Sequence, residues 1–436
     1  MLRFILTAAF AVSATVVSAA VDIKTITSPG GINAWVVEEP SIPFVALEIR
    51  IRGGASLDEA GKRGAVNLMM GLLEEGSGDL NAQAFQTKRE NLAASFGYRA
   101  SDDTISLSAQ FLTENQDEAL ALFKQSLINP TFDQDAIDRV RAQVISGINS
   151  DAKNPNRIAG AFFDGAAFGG HPYGTGMDGT VETVSSLTQD DLIAAHRNVL
   201  TRDRLFVSVV GDVTEAEIGP LLDDLLGDLP AEGPPLPDDV DFGLAGGLTV
   251  IDFETPQSVA LFGHAGIKRD DDDFFAAFIM NQILGAGGFE SRLMNEVREK
   301  RGLTYGISTF LVPKFHAEMV LGQVASSNAT IAEAIDVTRA EWARMANEGV
   351  TADELATAKT FLTGEYPLRF DGNGKIADIM VGMQMIGLPP EYVVNRNDYI
   401  EAVTLTEINR VAGELLDPEA LHFVVVGQPV GLENTQ

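Results

Sequence analysis

Five histidines are the first residues to consider for chemistry, because only imidazole titrates near neutral pH without help from its surroundings. They are His171, His196, His264, His316 and His422, and no two stand three or four residues apart. No single helix can therefore offer two of them to one metal ion, and a zinc site built from them would need contacts between distant segments. His171, in "HPYG", reads as a hydrogen-bonding loop residue. The acids Asp270, Asp271, Asp272 and Asp273 lack the alternating ligands and bend glycine of a calcium loop; standing before "FFAAFIM", they are expected to favour a helix N-terminus. "GAGG", residues 285–288, is not followed by Lys-Ser or Lys-Thr, and no G-x-S-x-G elbow occurs.

One stretch has the spacing of a metal site without its ligands. In "GAVNLMMGLL", residues 64–73, Ala65, Leu68, Met69 and Leu72 recur at helical spacing and predict a buried helix face. Asn67 and Gly71 interrupt it four residues apart, and a mid-helix glycine costs about 1 kcal/mol relative to alanine.

The elements that must position such residues are written twice. "EEPSIPFVAL" (38–47) answers to "ETPQSVAL" (254–261), with Val45 matching Val259 at an offset of 214. Leu187-Thr188 matches Leu405-Thr406 at 218, and "LFVSVVGD" (205–212) matches "LHFVVVGQ" (421–428) at 216. Each copy opens with strand-like runs, then shows helical patterns such as "DDFFAAFIMNQIL" (272–284) and a late helix with a threonine cap. This order predicts an α+β fold of two homologous domains, each a mainly antiparallel β-sheet with helices packed on one face. The domains are expected at residues 21–228 and 246–436, joined by a Pro- and acid-rich semi-rigid linker at 229–245. Met294 and the Met cluster in "IMVGMQMIG" (379–387) read as packing residues.

Residues 1–20, with Arg3, an apolar run and a small-residue end, read as a signal peptide, so the chain is expected to be exported, most simply to a bacterial periplasm. No later stretch is apolar enough for a membrane span, and the absence of cysteine excludes disulfides and thiolate metal sites. With 62 acids against 31 bases, a net charge of −31 argues against nucleic acid or an anionic membrane as partner.

Four features together resemble the pitrilysin-like clamshell zinc peptidases (family M16), which include mitochondrial processing peptidase and bacterial relatives. They are "GGFESRLMNEVREKRGLTYGIS" (287–308), "HPYG", "VVGD" (209–212) and the duplication itself. In catalytic members an inverted motif, H-x-x-E-H, supplies two zinc ligands and a general base. Laid on residues 64–77 without gaps, it puts Asn67 and Gly71 at the ligand positions and Met70 at the base position. Asparagine is a poor zinc ligand, glycine has no side chain, and methionine is no base at neutral pH. The family's third ligand, a Glu, would fall near "QVISGINS" (143–150), which has none.

The resemblance implies no metal or other cofactor in this chain. It also implies catalytic roles for Arg298 and Tyr305, which match the family's second-domain pair that holds substrate backbone and the developing oxyanion. The expected function is the non-zinc subunit of a heterodimeric metallopeptidase, with zinc in a homologous H-x-x-E-H partner of similar size and a peptide as substrate. The alternative is an inactive pseudopeptidase acting in assembly or peptide binding, in which Arg298 pairs with a nearby Glu and Tyr305 begins a half-buried strand.

Overall fold

The computed structural model describes residues 22–435, so the expected signal peptide lies outside the described residues. The first half runs β1 (Lys24–Thr27), β2 (Asn33–Glu38), β3 (Phe44–Arg52), α1 (Ala65–Met70), β4 (Gly76–Ser77), β5 (Leu80–Asn81), α2 (Ala82–Asn91), β6 (Ser95–Ala100) and β7 (Thr104–Leu112). It continues with α3 (Gln116–Ile128), α4 (Gln134–Asp151), α5 (Pro155–Phe168), α6 (Val181–Ser186), α7 (Gln189–Val199), β8 (Leu205–Gly211) and α8 (Glu215–Leu226). The second half runs β9 (Gly247–Asp252), β10 (Gln257–Ala265), α9 (Phe274–Asn281), β11 (Ile307–Pro313), β12 (Glu318–Ser327) and α10 (Ile331–Glu348). It ends with α11 (Ala352–Glu365), α12 (Asn373–Met385), α13 (Tyr392–Ala402), α14 (Leu405–Leu415) and β13 (His422–Gly427).

Alternating patterns explain the strands. In β7, "TISLSAQFL", Ile105, Leu107, Ala109 and Phe111 are buried on one face while the intervening residues are more exposed. The first sheet has the order β1-β2-β8-β3-β7-β6 and the second β11-β12-β10-β13-β9. Without the edge strand β1 the two orders superimpose, down to a single parallel pair in each, β2 with β8 and β9 with β13. The fold is thus α+β with two like halves.

Register refines the internal match. Val45, Leu47 and Ile49 of β3 face their own helices, whereas in β10 it is Ala260 and Phe262 that do so and Val259 points the opposite way. Val45 and Val259 are therefore not equivalent; a slip of one residue reverses every side chain in a strand, and Val45 corresponds to Ser258. The late helices are capped by Thr188 and Thr404, each in a capping box with the residue three on, Asp191 and Glu407. Thr404, not Thr406, is the counterpart of Thr188, which brings this landmark to the same 216-residue spacing as Gly211 and Gly427.

Each sheet packs its own helices on one face and receives a helix from the other half on the opposite face. Ala159, Phe163 and Ala167 of α5 lie against Val259, Leu261, Val424 and Val426 of the second sheet. Reciprocally, Ile376, Ala377 and Met380 of α12 lie against Val37, Ala46 and Val210 of the first. Gln384 at the end of α12 donates to the Val207 carbonyl at 2.8 Å and to Ser208 Oγ at 2.9 Å. Exchange of equivalent helices buries four sheet faces with one chain and locks the halves together. The linker also takes part: Val240, Phe242 and Leu244 pack into the same core as α5, with the Phe242 ring 5.8 Å from that of Phe163. Its prolines exclude it from a sheet, but its apolar residues anchor it.

Candidate functional site

The stretch expected to carry the degenerate motif begins on α1. Helix α1 ends at Met70, with Gly71 as its C-cap, so Gly71 is not the mid-helix residue that the apolar spacing predicts. A Cβ added at Gly71 would stand 3.1 Å from Val140 Cγ1 of α4, so the helix end lies closely against α4. Met70 is buried in the core. Asn67 is half-buried and donates through Nδ2 to Asp178 Oδ1 at 2.8 Å. Asp178 lies in the loop after "HPYG", and burial together with the nearby Asp151 pushes its carboxyl above the ordinary aspartate range.

Zinc does not fit this arrangement. At the two expected ligand positions, Asn67 is turned into a hydrogen bond with Asp178 and Gly71 has no side chain and faces Val140 of α4. Among the described residues, no group of three or more His, Asp or Glu is placed to hold a metal ion. The histidines go to other uses. His171 Nδ1 accepts from the Tyr173 N–H at 3.2 Å, His264 accepts from Trp342 Nε1 at 3.1 Å, and His196 and His422 bond to backbone carbonyls. Asp273, at the N-terminus of α9, makes no side-chain cap bond and instead accepts from Arg410 at 2.9 Å.

Arg298 and Tyr305 share one surface groove of about 550 Å3, lined entirely by the second half. Arg298 lies in a π-helical turn, Met294–Glu299, in which the Lys300 N–H reaches the Asn295 carbonyl five residues back. Such insertions are uncommon and are frequent at functional sites. Gly302, at φ +65°, closes the turn: its N–H bonds the Arg298 carbonyl and that of Leu303 bonds Val297. A left-handed residue there is what glycine allows at little cost.

Neighbouring acids are already occupied. Glu296 takes Lys300 and Arg301, and Glu354 takes a bidentate bond from Arg292 at 2.6 and 2.7 Å, which holds its carboxyl down to about 2. Among the described residues Arg298 has only Glu299 as an acidic partner, at 3.6 Å, a distance too long for a hydrogen bond, and its guanidinium lies 4.5 Å over the Phe289 ring. Tyr305 is 86% exposed and precedes β11 instead of packing within it. The loop beneath is fixed, because the buried Thr304 hydroxyl bonds the Ala325 carbonyl at 2.6 Å and Ser326 Oγ bonds the Leu303 carbonyl at 2.5 Å. A rigid base thus presents a phenol and a cation to an open groove, a pair able to donate hydrogen bonds to a carbonyl or oxyanion.

The sequence motifs gave no sign of Asp178 as the partner of Asn67, or of Phe289 beneath Arg298. The first contact spans 111 residues, and the second depends on a Gly-rich turn whose path local periodicity does not determine.

Residues 35–180 match the family model described as insulinase (peptidase family M16), and residues 186–362 match the one described as peptidase M16 inactive domain. A non-peptidase homolog, YmxG, from Helicobacter pylori is 26% identical over 89% of this chain and 90% of its own. A probable mitochondrial-processing peptidase subunit beta from Schizosaccharomyces pombe is 21% identical over 94% and 92%. The crystal structure of a peptidase M16 inactive domain from Pseudomonas fluorescens superimposes with a TM-score of 0.88 at 25% identity, covering 95% of this chain and all of the other.

Proposed function

The chain belongs to peptidase family M16, and from that membership we propose that it is a non-catalytic member, the non-zinc subunit of a heterodimeric metallopeptidase. The observation that carries the reading is an asymmetry between the halves. The first half has Asn67, Met70 and Gly71 where a metal site would be, with Asn67 committed to Asp178. The second half keeps Arg298 and Tyr305 facing one groove, Arg298 with only a loose 3.6 Å ion pair to Glu299 among the described residues and Tyr305 86% exposed. A relative that is itself a non-peptidase homolog supports the first part.

In this reading a homologous H-x-x-E-H subunit of similar size supplies the zinc and the base. Arg298 and Tyr305 hold the substrate backbone and donate to the oxygen that gains charge. Donors of this kind are commonly worth about 10²- to 10³-fold in turnover. The test is peptide cleavage by the purified two-chain complex. Arg298→Ala and Tyr305→Phe are expected to lower kcat with the complex still assembled. Unchanged turnover in both variants would remove the assigned roles and leave the chain as an assembly or peptide-binding subunit.

A further inference from the structure

A second cleft, of about 430 Å3, lies where the two halves meet, between the end of β3, the linker, the segment after β10, the β11–β12 turn and the end of α12. That volume is in the range of small-molecule sites, roughly 300–1,000 Å3. Two arginines line it, each held by aromatic rings. The Arg52 guanidinium stands 5.3 Å from the ring centroid of Phe206 and 4.8 Å from that of Phe315, and donates to the Met385 carbonyl. Arg269 lies 4.2 Å over Phe274 and donates to Tyr392 Oη at 3.2 Å. Neither forms an ion pair among the described residues, in a chain with 62 acids to 31 bases.

Acids line the same cleft without meeting those arginines. Asp239 is engaged by His316 at 3.2 Å and Lys268 at 3.6 Å, but Asp241, Asp270 and Glu318 make no side-chain hydrogen bond or ion pair among the described residues. They converge in space: burial pushes Glu318 above the usual carboxylate range, the nearby Lys268 ammonium draws it back, and Asp239, Asp241 and Asp270 push it up again. Opposite charges that share a cleft would ordinarily close on one another. Here the aromatic rings hold the arginines back, and the acids stand on the linker, the segment after β10 and the start of β12.

We infer that this cleft binds a small zwitterion, a free amino acid or dipeptide, with its ammonium among Asp241, Asp270 and Glu318 and its carboxylate on Arg52 and Arg269. Val240, Pro313 and Ile386 supply an apolar wall for its side chain. This site is separate from the Arg298–Tyr305 groove and does not rest on the function proposed for it.

The experiment is titration calorimetry of the full chain with the dipeptide Ala-Leu, its N-acetyl form and its C-terminal amide. Saturable binding of Ala-Leu is expected, with both blocked forms weaker by about tenfold or more, as for loss of one charged hydrogen-bonding group. Arg269→Gln and Glu318→Gln should each weaken Ala-Leu to a similar degree. Because Arg269 also packs on rings, Asp241→Asn on the linker is the second variant, and unfolding curves confirm that each is folded. No saturable binding, or equal binding of the blocked forms, overturns the inference.

Discussion

Asn67 and Asp178 are joined by a 2.8 Å hydrogen bond that ties α1 to the loop following "HPYG". Asn67, which in the proposed reading stands at a former metal-ligand position, is here a structural tie between two segments of the first half. Removing the amide leaves a half-buried carboxylate short of a donor, which commonly costs about 1–3 kcal/mol. Asn67→Ala should lower stability by that amount in urea unfolding without any change in zinc content.

Tyr305→Phe separates stability from function. The side chain is 86% exposed and its hydroxyl has no hydrogen-bond partner among the described residues, so the melting temperature should not change. Turnover by the two-chain complex should nevertheless fall. A fall in melting temperature matching the fall in turnover would assign Tyr305 to structure.

Gly302→Ala tests the closure beneath the groove. Space is available for the methyl, but φ is +65°, and alanine in that region costs about 1 kcal/mol. The variant should lose that much stability and also displace Arg298, whose carbonyl accepts from Gly302, so turnover should fall more than stability explains.

Glu354 gives the fold a defined acid sensitivity. The Arg292 bonds hold its carboxyl at about 2, below its ordinary value of 4.5. A depressed carboxylate contributes stability that is fully present above the ordinary value and is lost as pH falls through the folded value. Glu354→Gln should therefore cost about 1–2 kcal/mol above pH 5, after discounting for partial exposure, with the difference from wild type shrinking between about pH 4.5 and 2. Urea unfolding across that range checks it.

The exchanged helices predict one cooperative unit. Phe163 is fully buried on α5 against the second sheet, and Phe163→Ala should cost about 3–5 kcal/mol. Both halves should lose stability together, as hydrogen exchange in each would show. Loss confined to one half would mean that α5 and α12 do not couple the sheets.

Much of this fold was legible because its signals are local. The strand-like runs that open each copy marked strands, and a threonine cap announced each late helix. The doubling showed through landmarks at near-constant offset, but identity misled where chemistry repeats by chance: Val45 and Val259 share a name and point to opposite faces. Exchange of α5 and α12 left no local mark, since a helix stripe looks the same whichever sheet it covers. The close approach of Gly71, where α1 ends, to Val140, 69 residues away in α4, is likewise a long-range contact that periodicity does not contain. At the site, Arg298 and Tyr305 stood out only through the family resemblance; nothing in their spacing separates them from a surface arginine and a strand tyrosine.

The most direct test is reconstitution. The chain and an H-x-x-E-H homologue from its host are purified separately, and zinc-dependent cleavage of a peptide library is measured for each and for an equimolar mixture. Neither chain alone should cleave, and the mixture should do so with chelator-sensitive turnover that Arg298→Ala reduces by about 10²-fold or more. A stable complex with no gain in cleavage, or full activity of the homologue without this chain, would contradict the shared-site account.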